Sequence, residues 1–120
     1  MRILIIDDDA EIRRLAAAFL ARGGATVVEA ESGEAGISAA EREPPDVILL
    51  DALMPGMDGP GTLEQLRQRP LTASIPVIFL TATSKPEERQ RLERMDVRGI
   101  LSKPFNPMTL ASSVRDLLGR

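Results

Sequence analysis

The 120-residue sequence contains no cysteine and no histidine. Without cysteine, the chain has neither disulfides nor thiolate ligands for a metal. Without histidine, it has no imidazole base for catalysis and no histidine ligand for zinc. Any imidazole chemistry in which the protein takes part therefore has to come from another molecule.

Tryptophan and tyrosine are also absent, and the only aromatic residues are Phe19, Phe79 and Phe105. We therefore expect no aromatic platform that stacks the bases of single-stranded nucleic acid. The net charge of −3 gives no reason to expect nucleic acid or an anionic membrane as a partner. No apolar run approaches the roughly 20 residues of a membrane span. A strand begins at residue 2, so we expect no signal peptide and a cytoplasmic location.

Apolar runs alternate with helical patterns along the chain, whose length suits one domain, and we predict that residues 1–120 form a single domain. The predicted strands cover residues 2–6, 26–30, 46–50, 76–80 and 98–102. The predicted helices cover residues 10–22, 33–42, about 61–68, 85–95 and a segment after residue 106. This order predicts a parallel sheet with helices on both faces and strands that are buried on both sides.

The ends of several helices carry recognisable signals. Asp8 or Asp9 is expected to cap the first helix, and Gly23 is expected to end it in the left-handed conformation. Asn106 is expected to cap the last helix, with Pro107 at its first position.

Polar residues directly follow four of the predicted strands. Asp7 and Asp8 follow the first strand, Asp51 the third, Thr81 the fourth and Lys103 the fifth. In a parallel sheet these ends lie at one edge, where ligands bind at the topological switch point. Carboxylates that converge there repel one another and require a hard divalent cation. The pattern therefore predicts a pocket for Mg²⁺ and a phosphoryl group.

The charges of such a pocket are balanced. Mg²⁺ and Lys103 carry three positive charges against the three negative charges of the predicted acidic cluster. A carboxylate can act as a nucleophile on phosphorus and form an aspartyl phosphate. Thr81 would donate to one phosphoryl oxygen, and Lys103 would pair with another.

Each of these residues also has a simpler explanation. The acidic run can be a set of helix caps in a solvated turn. Asp51 can be a turn residue and Lys103 a surface lysine, and Thr81 can cap the fourth helix, with Ser84 as the rival cap. Their joint occurrence at successive strand ends favours a shared site.

Four separated motifs together resemble the receiver domain of response regulators in two-component signalling. They are Ile6-Asp7-Asp8, Asp51 followed by Met54-Pro55-Gly56-Met57-Asp58-Gly59, Thr81-Ala82, and Lys103-Pro104-Phe105. Their order and spacing are those of the family, and the resemblance covers essentially the whole chain. It implies a flavodoxin-like, three-layer α/β/α sandwich with five helices and a five-stranded parallel sheet of order 2-1-3-4-5.

The resemblance also implies a role for each site residue. Asp51 would be the phosphoacceptor, and Asp8 and Asp51 would bind Mg²⁺ directly together with the backbone carbonyl of Leu53. Asp7 would act mostly through coordinated water. The residues implied to hold the phosphoryl oxygens are Thr81 and Lys103.

Further implications concern partners. The phosphoryl donor would be phosphohistidine on a sensor histidine kinase or a histidine phosphotransfer protein, in agreement with a chain that lacks histidine. In this family the fourth helix, fifth strand and fifth helix usually meet a downstream protein. The many charges of the fourth helix suit such a docking or dimer surface, or more simply a solvated face with internal pairs. We expect a monomer or weak dimer, and a cis bond between Lys103 and Pro104.

The sequence departs from the family at several positions. Ile100 replaces the aromatic switch residue of the fifth strand, so its coupling to Thr81 would need another group. Asp96 replaces the usual glycine after the fourth helix, and aspartate tolerates the left-handed conformation moderately well. Leu53 and Thr83, beside the phosphoacceptor, cannot orient an attacking water, which predicts slow loss of phosphate.

The main expectation is a phosphoacceptor that signals by docking. It would not be an enzyme, because self-catalysed phosphoryl acceptance and slow autodephosphorylation are its only reactions. One alternative is a receiver-like binding module that is never phosphorylated. A less favoured alternative is a small Mg²⁺-dependent phosphatase, which would generally need an acid where Leu53 stands and a cap over the substrate.

Overall fold

The structure is a computed structural model that describes residues 1–119, in which five strands alternate with five α-helices. The strands are β1 (Arg2–Ile6), β2 (Thr26–Ala30), β3 (Val47–Asp51), β4 (Val77–Thr81) and β5 (Gly99–Ser102). The helices are α1 (Ala10–Arg22), α2 (Gly33–Arg42), α3 (Gly59–Gln68), α4 (Pro86–Glu93) and α5 (Leu110–Leu118). A 3₁₀ turn at Pro107–Thr109 precedes α5.

All five strands are parallel and lie in the order β2-β1-β3-β4-β5. This order confirms the predicted three-layer α/β/α fold. The chain turns to β2 on one side of β1 and to β3 on the other, which makes the β1–β3 boundary the switch point of the sheet.

Two apolar clusters cover the two faces of the sheet. Leu50 and Phe79 point to the face covered by α2, α3 and α4, while Ile5 and Leu49 point to the face covered by α1 and α5. Successive residues of a strand alternate between faces, so β1, β3 and β4 need apolar residues at nearly every position. These central strands are therefore buried on both sides.

The prediction of double burial was wrong for the two edge strands. β2 is mostly exposed, with Ala30 as its one buried residue, and no residue of β5 is fully buried. Each has a neighbouring strand on one side only, so fewer side chains are covered.

Several predicted bounds differ from the structure by one to three residues. Asp51 is the last residue of β3 rather than the residue after it. The third helix begins at Gly59 because the Asp58 side chain caps it by accepting from the Gly61 N–H. β4 starts at Val77, one residue after Pro76, which has no N–H to donate. The fourth helix and the fifth strand are each shorter than predicted.

Three predicted helix signals need correction. Of the two candidate caps of α1, Asp9 is the one that caps the helix. At the other end of α1, the left-handed residue is Gly24 rather than the predicted Gly23. Asn106 caps the short 3₁₀ turn by accepting from a backbone N–H, and α5 itself begins at Leu110. The N-cap of α4 is Lys85, without a side-chain hydrogen bond.

It follows that neither Thr81 nor Ser84 caps α4. Asp96 is also not left-handed, since none of the non-glycine residues in 1–119 has a positive φ. Its carboxylate instead lies 2.9 Å from Nε of Arg67. Within the described chain, none of the helices has the length and apolar character that crossing a bilayer requires.

Candidate functional site

The carboxyl ends of β1, β3, β4 and β5 surround one cleft. The register pairs Ile6 with Leu50 and Thr81 with Ser102, so the residues that follow lie at a common edge. The cleft has a volume of about 650 Å³. Its lining includes the strand-end residues Asp7, Asp8, Asp51, Thr81 and Lys103, the loop residues Leu53, Asp58, Pro60 and Thr83, and Glu88, Arg91 and Leu92 of α4.

Three carboxylates form an acidic cluster in this cleft. One oxygen from each of Asp7, Asp8 and Asp51 lies within 4.8 Å of the others. Asp7 is fully buried and Asp51 is 4% exposed, whereas Asp8 is open to solvent. Negative charges at this separation repel one another more strongly than in bulk water, so the cluster requires nearby positive charge.

Asp7 is held through its backbone and its side chain. Its N–H donates to the carbonyl of Ala30 at 3.1 Å, and its own carbonyl accepts from Nη1 of Arg13 at 2.8 Å. Its Oδ1 accepts from the Asp9 N–H at 2.9 Å, and its Oδ2 lies 2.6 Å from Nζ of Lys103. These contacts give the buried carboxylate one orientation.

Lys103 bridges two of the carboxylates. Its Nζ lies 2.6 Å from Oδ2 of Asp7 and 3.1 Å from Oδ1 of Asp51. Burial by itself lowers the pKa of this ammonium, but the hydrogen bond and charge of Asp7, together with Asp51, outweigh burial and raise the pKa above its ordinary value. The side chain therefore stays charged. The Lys103–Pro104 peptide bond is cis, as the resemblance implied.

The carboxylate of Asp51 is harder to ionise than an ordinary aspartate. Burial raises its pKa to about 6, the charge of Asp7 adds to the rise, and Lys103 opposes it. The Leu53 N–H also stabilises the ionised form by donating to Oδ1 at 3.2 Å. Asp51 is consequently ionised at neutral pH but readily protonated in mild acid.

The loop after β3 passes closely around Asp51 because residue 59 is glycine. The Gly59 N–H donates to the Ala52 carbonyl at 3.1 Å. A Cβ at Gly59 would lie 2.6 Å from the Asp51 carbonyl oxygen and from Cα of Ala52. Only glycine permits this approach, so the Asp58-Gly59 pair of the motif shapes the wall of the cleft.

Thr81 ends β4 and is 5% exposed. Its Oγ1 accepts from the Thr83 N–H at 3.1 Å, which leaves its hydroxyl hydrogen available for donation into the cleft. Ile100, the predicted switch position, is partly buried and packs against the apolar cluster on the α4 side of the sheet. Leu53 is 82% exposed, and its backbone N–H, rather than its side chain, contacts Asp51.

Three residues near the acidic cluster were not predicted from the sequence. Arg13 of α1 reaches the Asp7 backbone, and Glu88 and Arg91 of α4 line the cleft. Within helices, these residues resemble ordinary exposed charges. The one available signal was that α4 follows Thr81 closely, so its first turns have to lie near the same edge of the sheet.

Comparison with known proteins agrees with this geometry. The family model described as the response regulator receiver domain matches residues 3–115. The chain belongs to this family.

Curated relatives of this receiver include proteins of different length. The probable transcriptional regulator ycf27 of Porphyridium aerugineum is 36% identical, over 99% of this chain and 48% of its own length. The phosphate regulon transcriptional regulatory protein PhoB of Escherichia coli is 33% identical, over 99% of this chain and 52% of its own length. The receiver thus spans about half the length of these relatives. Protein PilH of Pseudomonas aeruginosa is 35% identical and is covered over 97% of its length.

Solved structures show the same fold. The chemotaxis protein CheY4 of Vibrio cholerae matches with a TM-score of 0.89 and 30% identity, over 97% of each chain. A putative response regulator from Chloroflexus aurantiacus matches with a TM-score of 0.89 and 32% identity, over 99% of this chain and 98% of its own. The receiver is therefore CheY-like in architecture.

Receiver domains generally bind Mg²⁺ and interact with histidine kinases. The acidic cluster of this receiver fits the ion, because its donors are carboxylate oxygens, which Mg²⁺ prefers. Mg²⁺ also keeps several water ligands, and the exposed side of Asp8 leaves room for them.

Proposed function

We propose that this receiver accepts a phosphoryl group on Asp51 from phosphohistidine of a sensor histidine kinase or a histidine phosphotransfer protein. The observation that carries the proposal is the position of the Asp51 carboxylate, which belongs to the acidic cluster and lies 3.1 Å from Nζ of Lys103. Lys103 and the Leu53 N–H both contact Oδ1. Within residues 1–119, Oδ2 has no such donor and is the oxygen available for attack.

In this transfer, Oδ2 of Asp51 forms a bond to phosphorus while the phosphorus–nitrogen bond of the donor breaks. The electron pair of the broken bond returns to the imidazole nitrogen, which takes a proton from solvent. The products are an aspartyl phosphate and the partner's neutral histidine. No oxidant or further reactant is required.

Mg²⁺ would be held by Asp8, Asp51 and the backbone carbonyl of Leu53, with Asp7 acting mostly through coordinated water. When bound, the ion supplies positive charge that offsets the negative oxygens of the phosphoryl group. The depth of Asp7 and its several contacts serve to keep the cluster in place.

Thr81 and Lys103 are proposed to hold the phosphoryl oxygens. The transferring group passes through a loose transition state, so positioning and charge compensation supply most of the rate. The Lys103 ammonium already lies beside Asp51, and its raised pKa keeps it charged. The Thr81 hydroxyl retains a hydrogen that it can donate.

The receiver is proposed to signal by docking and not to be an enzyme acting on external substrates. The exposed, apolar Leu53 stands where an aspartate-based phosphatase needs its second acid. Docking of a downstream protein is assigned to the face of α4, β5 and α5, in a monomer or weak dimer. We further propose that residues 1–120 act as one domain, in the cytoplasm, without a nucleic-acid or membrane partner.

The proposal is tested by incubating the protein with acetyl phosphate and Mg²⁺ and measuring its mass. We expect one phosphoryl adduct on the wild type and on Asp116→Ala, which alters an exposed aspartate of α5, but none on Asp51→Ala. Absence of the adduct from the wild type would favour an unphosphorylated binding module. Steady hydrolysis of added phosphomonoesters would favour a phosphatase.

A further inference from the structure

We infer that Glu88 is a positioning residue of the phosphoryl site, acting through Thr83 on the Thr81 hydroxyl, and that these contacts carry the state of Asp51 to α4. The inference rests on the proposed function and specifies how the same site is coupled to its output helix. It also supplies a route that does not need an aromatic residue at position 100.

Two successive hydrogen bonds connect Thr81 with α4. The Thr83 N–H donates to Oγ1 of Thr81 at 3.1 Å, and the Thr83 hydroxyl donates to Oε2 of Glu88 at 2.5 Å. Oγ1 of Thr83 also accepts from the Lys85 N–H at 3.3 Å. The Thr83 side chain therefore joins the end of β4, the loop and the first turn of α4. Thr81, Thr83 and Glu88 line the same cleft as Asp51.

These contacts orient the Thr81 hydroxyl. Because its oxygen accepts from the Thr83 N–H, its hydrogen points elsewhere and can be donated to a phosphoryl oxygen. A hydroxyl that already accepts a hydrogen bond is also a better donor. The Thr83 side chain is held in turn by the Glu88 carboxylate, which accepts from its hydroxyl, and by the longer hydrogen bond from the Lys85 N–H.

Few other contacts hold the start of α4. Its N-cap residue, Lys85, makes no side-chain hydrogen bond, and Leu92 in the last turn is its one fully buried residue. Further along the helix, Nη1 of Arg89 donates to Oγ of Ser102 in β5 at 3.0 Å. A loosely packed helix responds to small changes at its ends. The Thr83–Glu88 hydrogen bond is thus a substantial part of what positions the first turn.

Movement at either end of these contacts has to affect the other end. If Thr81 turns or shifts toward a phosphoryl oxygen, Thr83 and Glu88 follow or their hydrogen bonds break, and both outcomes alter α4. By linkage, a partner that stabilises the altered α4 favours the phosphorylated site equally. The aliphatic side chain of Ile100 has no polar group that could make comparable contacts.

The decisive comparison is between Glu88→Ala and Glu87→Ala. Both glutamates are exposed acids in the first turn of α4, so either substitution removes a similar interaction with the helix N-terminus. Only Glu88 contacts Thr83. A second variant, Thr83→Val, removes the hydroxyl but keeps the backbone N–H and the branched shape.

Beryllofluoride with Mg²⁺ serves as the phosphoryl probe, and amide chemical shifts are measured around Asp51 and along α4. We expect Glu88→Ala and Thr83→Val to keep the changes around Asp51 while the changes in α4 fall to about half or less. The beryllofluoride concentration at half saturation should rise about threefold, as expected for loss of one modest hydrogen bond. Glu87→Ala should behave like the wild type, and Glu88→Gln, whose amide oxygen still accepts, should restore most of the response.

Equal α4 responses in Glu88→Ala and Glu87→Ala would overturn the inference while leaving the proposed function intact. A wild type without any change around Asp51 would overturn the proposed function, and the inference would fail with it. The combined variant provides a further check, because Thr83→Val and Glu88→Ala act on one contact and their effects should not add.

Discussion

Nζ of Lys103 lies 3.1 Å from Oδ1 of Asp51, which places a fixed positive charge beside the carboxylate proposed to react. The same ammonium lies 2.6 Å from the buried Asp7. The ammonium therefore relieves repulsion within the acidic cluster and, at the same time, repels a Mg²⁺ ion that binds to the same carboxylates.

Replacing Lys103 by methionine should separate these two effects. Without the ammonium, we expect Mg²⁺ to bind about tenfold more tightly, because repulsion of about 1.4 kcal/mol is removed. Phosphoryl acceptance from acetyl phosphate should nevertheless slow by about a hundredfold, since a preorganised positive charge is lost. Metal titration and the rate of adduct formation measure the two quantities.

Lys85 is the matched control, because Lys85 and Lys103 are the only lysines in the sequence. Lys85→Met should leave both the metal affinity and the rate close to those of the wild type. Weaker Mg²⁺ binding in Lys103→Met would contradict the assignment of the ammonium as a competitor.

The raised pKa of Asp51 makes the stability of the metal-free protein dependent on pH. Because its folded pKa of about 6 exceeds the ordinary 3.8, the folded state binds this proton more tightly than the unfolded state. The resulting stabilisation is complete below about pH 4 and is lost as the pH rises through about 6.

Asp51→Asn removes this pH-dependent loss of stability, because an amide does not ionise. At pH 8 without divalent cations, we expect the variant to be more stable than the wild type by about 1 to 3 kcal/mol, since one pKa unit corresponds to about 1.4 kcal/mol. Near pH 4 the difference should almost vanish. Urea denaturation at both pH values tests this, with Asp116→Asn as the control, and a difference of the same size at pH 4 and pH 8 would contradict it.

Arg13 should support the acidic cluster through the backbone of Asp7. Arg13→Gln removes the guanidinium that donates to the Asp7 carbonyl at 2.8 Å, so we expect Mg²⁺ affinity to fall about fivefold, equivalent to one hydrogen bond of about 1 kcal/mol. The adjacent, exposed Arg14 provides the control, and Arg14→Gln should have no effect. Unchanged metal affinity in Arg13→Gln, even with a lower melting temperature, would reduce Arg13 to a purely structural residue.

Leu53 should keep the phosphorylated state long-lived. Its side chain is 82% exposed at the rim of the cleft and offers no group that orients an attacking water. Leu53→Asn adds an amide at this place, and we expect phosphate to be lost about tenfold faster, which corresponds to about 1.4 kcal/mol of barrier. Following phosphate release from the Mg²⁺-loaded aspartyl phosphate decides the point, and equal lifetimes would refute it.

The sequence was most informative where burial and strand order dictate the outcome. The apolar runs of β1, β3 and β4 predicted their strands to within one residue, because strands covered on both faces need apolar side chains at nearly every position. The convergence of Asp7, Asp8, Asp51 and Lys103 followed from the common edge at which parallel strands end.

It was least informative where a position depends on contacts between separate segments. Asp96 was expected to need a left-handed backbone, but its pairing with Arg67 depends on the last turn of α3 lying close to the loop between α4 and β5. The roles of Arg13 and Glu88 depend on long side chains whose direction no periodicity specifies. Gly24, rather than Gly23, is the left-handed residue, and the sequence could not distinguish them because either glycine satisfies the local rule.

The division between a rigid sheet and a loosely attached α4 has a consequence for how such a protein can diversify. Asp51 and Thr81, which are proposed to act on the phosphoryl group, stand on the central strands β3 and β4, whereas most of the surface of α4 is solvated. Only a few polar side chains, those of Glu88 and Arg89 among them, join this helix to the β4–α4 loop and to β5. Exposed positions of this helix can thus accumulate substitutions that allow a different downstream protein to bind, without disturbing the proposed phosphoryl site, provided that Glu88 and Arg89 are retained.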